Sequence, residues 1–289
     1  MNKQPRTLLS GTCLTVAGLL LSPGHGIAQT ATLSNGGSTM TVDLGGSDGV
    51  NSWYVDTSSV SQLDSEWFYY SINGGAAQAI NTLGLVPGTG TVTGGNQLSA
   101  TYNNGQVSVQ IGFTLNGSGS GSGSADLTAN LLTVTSSSAL TSLNVYEYAN
   151  FNLLQSSDNS IGISQGNSGP PFFTPQGYSG VQQVSGSTAL SETIGSPYAD
   201  FAEAGTASSV LTDVASGHNL NDVTSVGANP NVNVAWAFEW SYQNVGANSM
   251  ETVLQDQTLS IAPVPEPSSL ALVGLGLGAL GLIRRRMAS

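Results

Sequence analysis

Four groupings of residues have types and spacings that could do chemistry. Glu147 and Glu239 each sit within an aromatic-rich run, Val145-Tyr146-Glu147-Tyr148 and Ala237-Phe238-Glu239-Trp240. Two carboxyls about 5–10 Å apart are what glycoside hydrolysis needs, one as the acid and the other as nucleophile or base. Gly162-Ile163-Ser164-Gln165-Gly166 has the GxSxG spacing of a hydrolase nucleophile, with His218 as base and Asp213 or Asp222 to orient it. That motif acts only at a strand-to-helix elbow. Here it lies among polar Gly, Asn and Ser and runs into Gly169-Pro170-Pro171, which reads as a loop. In a chain with 37 Gly, composition alone accounts for the match. Asp43, Asp48 and Asp56 flank the turn Gly45-Gly46-Ser47-Asp48-Gly49, and hard oxygen ligands on a Gly-rich turn suit Ca²⁺. Tyr69 and Tyr70 are adjacent on a strand, so one must face away from the other and would offer its ring to a sugar.

The charges around these residues narrow the choice. Of 289 residues, 17 are Asp or Glu and 5 are Lys or Arg, a net charge of −12. The five cations are Lys3, Arg6, Arg284, Arg285 and Arg286, so the stretch from Gln29 to Pro267 carries −17 with no fixed positive side chain. It holds one His and no Cys. Such a body cannot neutralise phosphates, which excludes nucleic-acid binding. It has no Arg clamp, no Schiff-base Lys, no thiol nucleophile and no Cys- or His-rich zinc site. Disulfides are excluded, so the fold rests on its core. No cofactor is expected, Ca²⁺ on the Asp43–Asp56 loop being the one candidate.

The elements that must position these residues read as strands. Val232, Val234, Trp236, Phe238, Trp240 and Tyr242 occupy successive even positions, with small or polar residues between them except Glu239. Val107, Val109, Ile111, Phe113 and Leu115 repeat the pattern. Period two is the mark of a half-buried strand, and a helix would scatter these side chains around its axis. The same reading gives strands over 40–44, 52–56, 66–72, 97–102, 125–136, 140–148, 178–185, 187–194 and 252–261, with Asn104-Gly105 as a hairpin turn. The Gly-Ser run Gly117–Ser124 reads as a hairpin loop rather than a linker, because strands abut it on both sides. One short helix is expected over Ala207–Ala215. About ten short strands make an all-β chain, a single β-sandwich of jelly-roll or Greek-key type over residues 29–263. The Trp236 row is expected to be core.

The two ends are addresses. Residues 1–28 read as a signal peptide: Lys3 and Arg6 precede the apolar run Leu8–Leu21, and Gly26-Ile27-Ala28 sets a cleavage site between Ala28 and Gln29. Residues 264–289 begin with Val264-Pro265-Glu266-Pro267, an extended segment, since each Pro fixes φ. An uncharged run from Ser268 to Ile283 reads as an apolar helix and ends on Arg284-Arg285-Arg286, a cytoplasmic stop.

A Pro-Glu-Pro motif, an apolar helix and a terminal Arg cluster, in that order, resemble the PEP-CTERM protein-sorting signal of exopolysaccharide-producing Gram-negative bacteria. The runs Ser65–Ile72, Val145–Leu153 and Val234–Trp240 look, more loosely, like bodies found upstream of that signal. The resemblance implies export by the Sec machinery and signal peptidase, a transient inner-membrane anchor with the body periplasmic, and processing by an exosortase-like membrane enzyme. A glycosylphosphatidylinositol signal discards its apolar tail by the same logic. The expected product is a non-enzymatic protein of the cell surface or extracellular matrix, associated with exopolysaccharide or biofilm. A glycan-binding module is the alternative, and a secreted glycoside hydrolase or esterase the second.

Overall fold

Alternating burial builds the molecule. In the computed structural model, which describes residues 29–261 apart from 57, 120–122, 156–158, 168–174, 196 and 230–231, inward rows of apolar side chains pack between two antiparallel sheets. The elements run β1 (Thr30–Asn35), β2 (Ser38–Asp43), β3 (Val50–Tyr54), β4 (Leu63–Ile72), β5 (Gln78–Ala79), β6 (Thr91–Thr93), β7 (Gln97–Asn103), β8 (Val107–Gly117) and β9 (Ser124–Ser136). They continue with β10 (Leu140–Phe151), β11 (Ser160–Asn167), β12 (Pro175–Ser185), β13 (Thr188–Ile194), β14 (Phe201–Thr206), α1 (Ala207–Ser216), β15 (Ser225–Val226), β16 (Val234–Val245) and β17 (Met250–Ser260).

Sheet one has the order β1-β2-β3-β4-β10-β16-β14, with β5 paired to β4. Sheet two has the order β15-β11-β12-β13-β17-β9-β8-β7-β6. The all-β sandwich is therefore as the alternation implies. The Asn104-Gly105 turn joins β7 to β8, with Asn104 Oδ1 accepting from the N–H groups of Gln106 and Val107 at 2.9 Å. The Gly-Ser run joins β8 to β9 as a hairpin, Gly117 lying opposite Ala125. One reading is corrected. The segment holding Gly162–Gly166 is not a loop but strand β11, paired to β12 on one side and β15 on the other.

The core is aromatic. Phe151 stacks on Trp236 with ring centroids 5.3 Å apart and 10° between planes, and meets Trp53 edge-on at 6.1 Å. Trp67 meets Tyr102 edge-on, also at 6.1 Å. The backbone of Gly49, at φ 56°, lies against the Trp67 ring, where any Cβ would collide. Helix α1 covers the outer face of sheet one with Val210 and Val214. Thr206 caps its first turn, its hydroxyl accepting from Ser209 N–H at 3.2 Å. Gly217 ends it in the left-handed region, pressed against the backbone of Gly75–Ala77.

The sheet edges are short or occupied. Sheet two ends in the two residues of β15 and the three of β6. On sheet one, the free side of β1 gives Ser34 N–H to the Gly95 carbonyl, and that of β14 gives Ala204 N–H to the Val223 carbonyl, both at 2.7 Å. Among the described residues no helix is long and apolar enough to cross a membrane. The segments read as signal peptide and apolar tail lie outside the described residues.

Candidate functional site

Register brings three glutamates together between the sheets. Glu66 of β4 lies opposite Ala149, two residues from Glu147 of β10, and the same row continues across β16 as Trp236 and Phe238. Glu192 of β13 enters from sheet two, opposite Gln257 of β17. The three are 1%, 0% and 3% exposed. Gln255 Nε2 donates to Glu147 Oε2, and Gln257 Nε2 donates to Glu192 Oε2 at 2.9 Å. The Glu147 and Glu192 carboxyls face each other within hydrogen-bond reach. No N–H or hydroxyl donor bonds either oxygen of Glu66, Oε1 of Glu147 or Glu192, or the amide oxygens of Gln255 and Gln257.

Burial dominates the titration of this trio, because an apolar interior disfavours the charged form. Glu66 is pushed up to about 8, first by burial and then by the Glu192 charge, with the Gln257 amide beside it opposing. Glu147 is raised well above the ordinary carboxylate range by burial and then by Glu192 and Glu66. Glu192 rises only to about 7, because Glu147, Gln257 and the Trp236 indole all favour its ionised form against burial.

A second group lies on the outer face of sheet one, beneath α1 and the segment after it. Glu239 Oε1 accepts from Asn144 Nδ2 at 3.0 Å, and its Oε2 from Leu220 N–H at 2.9 Å. Burial lifts it to about 7, against the pull of the Leu220 N–H. Glu203 Oε2 accepts from the backbone and side-chain N–H groups of Asn221, whose amide also reaches Asp213 Oδ2 at 3.1 Å. Glu203 is raised by burial first, with the nearby Asp213 adding to it. Tyr148 donates its hydroxyl to the Ala207 carbonyl at 3.2 Å. These bonds fasten the helix and the 217–223 segment to the sheet.

The residues nominated by sequence are dispersed. Tyr146 lies opposite Glu239, and Glu147 opposite Phe238, so Glu147 and Glu239 point to opposite faces of one sheet and form no catalytic pair. Ser164 is exposed within β11, its hydroxyl donating to the Gly180 carbonyl at 3.3 Å, and the strand runs on past it to Asn167. The His218 side chain is also exposed. Asp43 Oδ1 accepts from Gly45 and Gly46 N–H at 2.9 and 3.0 Å, an ordinary turn. Among the described residues no three acidic, His or Cys side chains are arranged to hold a metal ion, those of Asp43, Asp48 and Asp56 included. The sugar platform is not formed by the two tyrosines. Tyr69 and Tyr70 are both buried, their hydroxyls turned to the Ser47 carbonyl and to Gln78 Oε1. Ala28 and the sorting residues Val264–Pro267 and Arg284–Arg286 lie outside the described residues.

Sequence reasoning does not single out Glu66, Glu192, Gln255 or Gln257. The available signal is parity, since each interrupts an inward row: Glu66 before Phe68 and Tyr70, Glu192 between Leu190 and Ile194, the two Gln between Val253 and Leu259.

The outer face of sheet two is different in kind. One line across six strands reads Thr93, Gln97, Thr114, Thr128, Asp256, Thr193. The next reads Asn116, Asp126, Thr258, Ser191, Gln182. A shallow depression opens on this face where Gly112 leaves Phe113 and Leu98 as a floor between Thr93, Gln97 and Thr114.

Comparison with known proteins separates body from tail. No curated protein matches the chain in sequence. A solved bacterial glucoamylase complexed with acarbose is 12% identical at a TM-score of 0.51, covering 86% of this chain and 34% of that one. A putative kojibiose phosphorylase from human microbiome is 10% identical at 0.40, covering 88% and 33%. The chain thus spans about a third of the length of these proteins, and the first likeness concerns the fold alone. Residues 263–286 match the family model of the PEP-CTERM protein-sorting motif. Residues 263–286 of this chain thus carry the PEP-CTERM protein-sorting motif, which implies export with a C-terminal membrane-anchoring signal and processing by an exosortase.

Proposed function

We propose that the protein is a non-enzymatic component of the cell surface or extracellular matrix, delivered through the periplasm and freed from its membrane anchor by exosortase cleavage near Pro265-Glu266-Pro267. The match at residues 263–286 carries this reading. The body supports it: the carboxyls that the fold gathers, those of Glu66, Glu147, Glu192, Glu203 and Glu239, are all buried and serve its own packing. Replacing Pro265, Glu266 and Pro267 together by alanine should leave the unprocessed precursor in the membrane fraction. Immunoblotting of fractionated cells checks it, and a mature form of normal size and yield in the variant would sink the reading.

The outer face of sheet two favours a second role, contact with a neutral glycan. Its lines of hydroxyl and amide groups run perpendicular to strands spaced about 4.8 Å apart, a regular array for hydrogen-bonding an extended hydroxylated polymer. With no cation in the body, the face suits uncharged better than acidic polysaccharide. The solved glucoamylase of similar fold holds the sugar analogue acarbose, which is consistent with this class of ligand. Retention on neutral polysaccharide columns is expected to fall at least tenfold when Thr114, Thr128 and Thr193 are changed to alanine. Equal retention of that variant, or none by the unaltered protein across a panel of neutral glucans, would remove this role.

A further inference from the structure

The inter-sheet acids form a centre that the sorting function does not use. An ionised carboxylate is acceptor-only, and three of them bring six oxygens. Against these stand few donors, the two Gln amides and the Trp236 indole. Six buried oxygens of the five side chains lack any N–H or hydroxyl partner. Among the described residues no other titratable side chain faces the centre. Sheet one contributes Val50 from β3 and Trp236 and Phe238 from β16, and sheet two contributes Val181 from β12 and Leu127 from β9. Asp256 points outward on β17 and accepts from Thr128 at 2.8 Å. No Lys or Arg lies between Gln29 and Ile283, and His218 is exposed at the end of α1. The three acids are not arranged as metal ligands.

Donors must nonetheless be found, because two carboxyls cannot face each other in a dry interior as two anions. We infer that the Glu66–Glu147–Glu192 centre binds protons as structural ligands, so that hydrogens shared among neutral acids close the two sheets and the fold tightens in acid and loosens as the medium turns alkaline. Each proton comes from solvent and returns to it, and no bond to a heavier atom is made or broken.

The sign follows from linkage. The folded values stand above the unfolded value of 4.5, so the folded state holds more protons and stability falls as pH rises from about 4.5 through the range near 7–8 in which Glu66 and Glu192 ionise, with Glu147 raised in the same direction. Thermal and urea unfolding of the purified full chain across pH 5 to 9 tests this. The folding equilibrium constant is expected to fall at least a hundredfold across this range. Buried Glu239 adds a slope of the same sign, so the comparison is made in a Glu239→Gln background. There, Glu66→Gln and Glu192→Gln should each flatten the curve. In deuterated buffer at pH 6.5 the Glu239→Gln protein should show the infrared carbonyl band of a protonated carboxyl, weakened by adding Glu147→Gln. Should the variants within the centre fail to fold, the band in the Glu239→Gln protein decides. Its absence, a stability that is flat or rising over this range, or stabilisation by added Ca²⁺ at pH 8 that Glu66→Gln abolishes would each overturn the proposal.

Discussion

Replacing Trp236 by alanine is expected to lower the stability of the body by about 4–5 kcal/mol, a third or more of what a domain of this kind usually possesses. The side chain is fully buried and makes the stacked contact with Phe151, which in turn holds Trp53 edge-on. Three strands of sheet one, β16, β10 and β3, therefore share one aromatic column. Truncation removes a large apolar area from the core and leaves a cavity that its rigid neighbours cannot fill. It also strips the indole from beside Glu192 and opens a route for water to the acids. The urea midpoint should fall with little change in slope. Leu254→Ala, at a site 38% exposed, serves as a control and should shift stability by less than about 0.5 kcal/mol.

The second large effect is expected at Glu239. Alanine there deprives Leu220 N–H and Asn144 Nδ2 of their acceptor in a buried setting, a loss of about 3 kcal/mol. The damage should be regional. Leu220 is the buried anchor of the segment between α1 and β15, while Asn221 ties the same segment to Glu203 and Asp213. Amide exchange should therefore quicken over residues 207–223 well beyond any change in the Trp53–Phe151–Trp236 column. Uniform acceleration through both regions, or none, would show that Glu239 does not hold this segment.

Strands whose inward rows are large and branched were legible without coordinates, as in β8 and β16, where period two is nearly unbroken. The strands that sequence passes over lack that contrast. In β14 the residues are Phe201-Ala202-Glu203-Ala204-Gly205, and small side chains are buried on both faces, so no alternation appears. Strand β11 reads as a loop because Gly162, Ser164 and Gly166 carry no apolar period, and its pairing is dictated by β12 and β15 instead. The acids show a different limit. Period two could place Glu147 and Glu239 on faces of their own strands, but not relative to each other, since that depends on the register between β10 and β16. Meeting Glu192 depends further on how two sheets stack, a long-range outcome no local pattern encodes. The motif at residues 263–286, by contrast, is a run of contiguous residues whose order and spacing need no tertiary context, which is why it was legible in full.

The sheet borders bear on life outside the cell. An exported β protein works without cytoplasmic chaperones, and a bare strand border would recruit a neighbouring copy's backbone into a growing fibre. Here β15 and β6 offer only two and three residues, and Ser34 and Ala204 already give their N–H groups to Gly95 and Val223. Many copies can therefore be packed side by side without templating one another. Any partner that meets the described body is left with side chains on the sheet faces, a bonding mode that stays reversible and open to competition by soluble ligand.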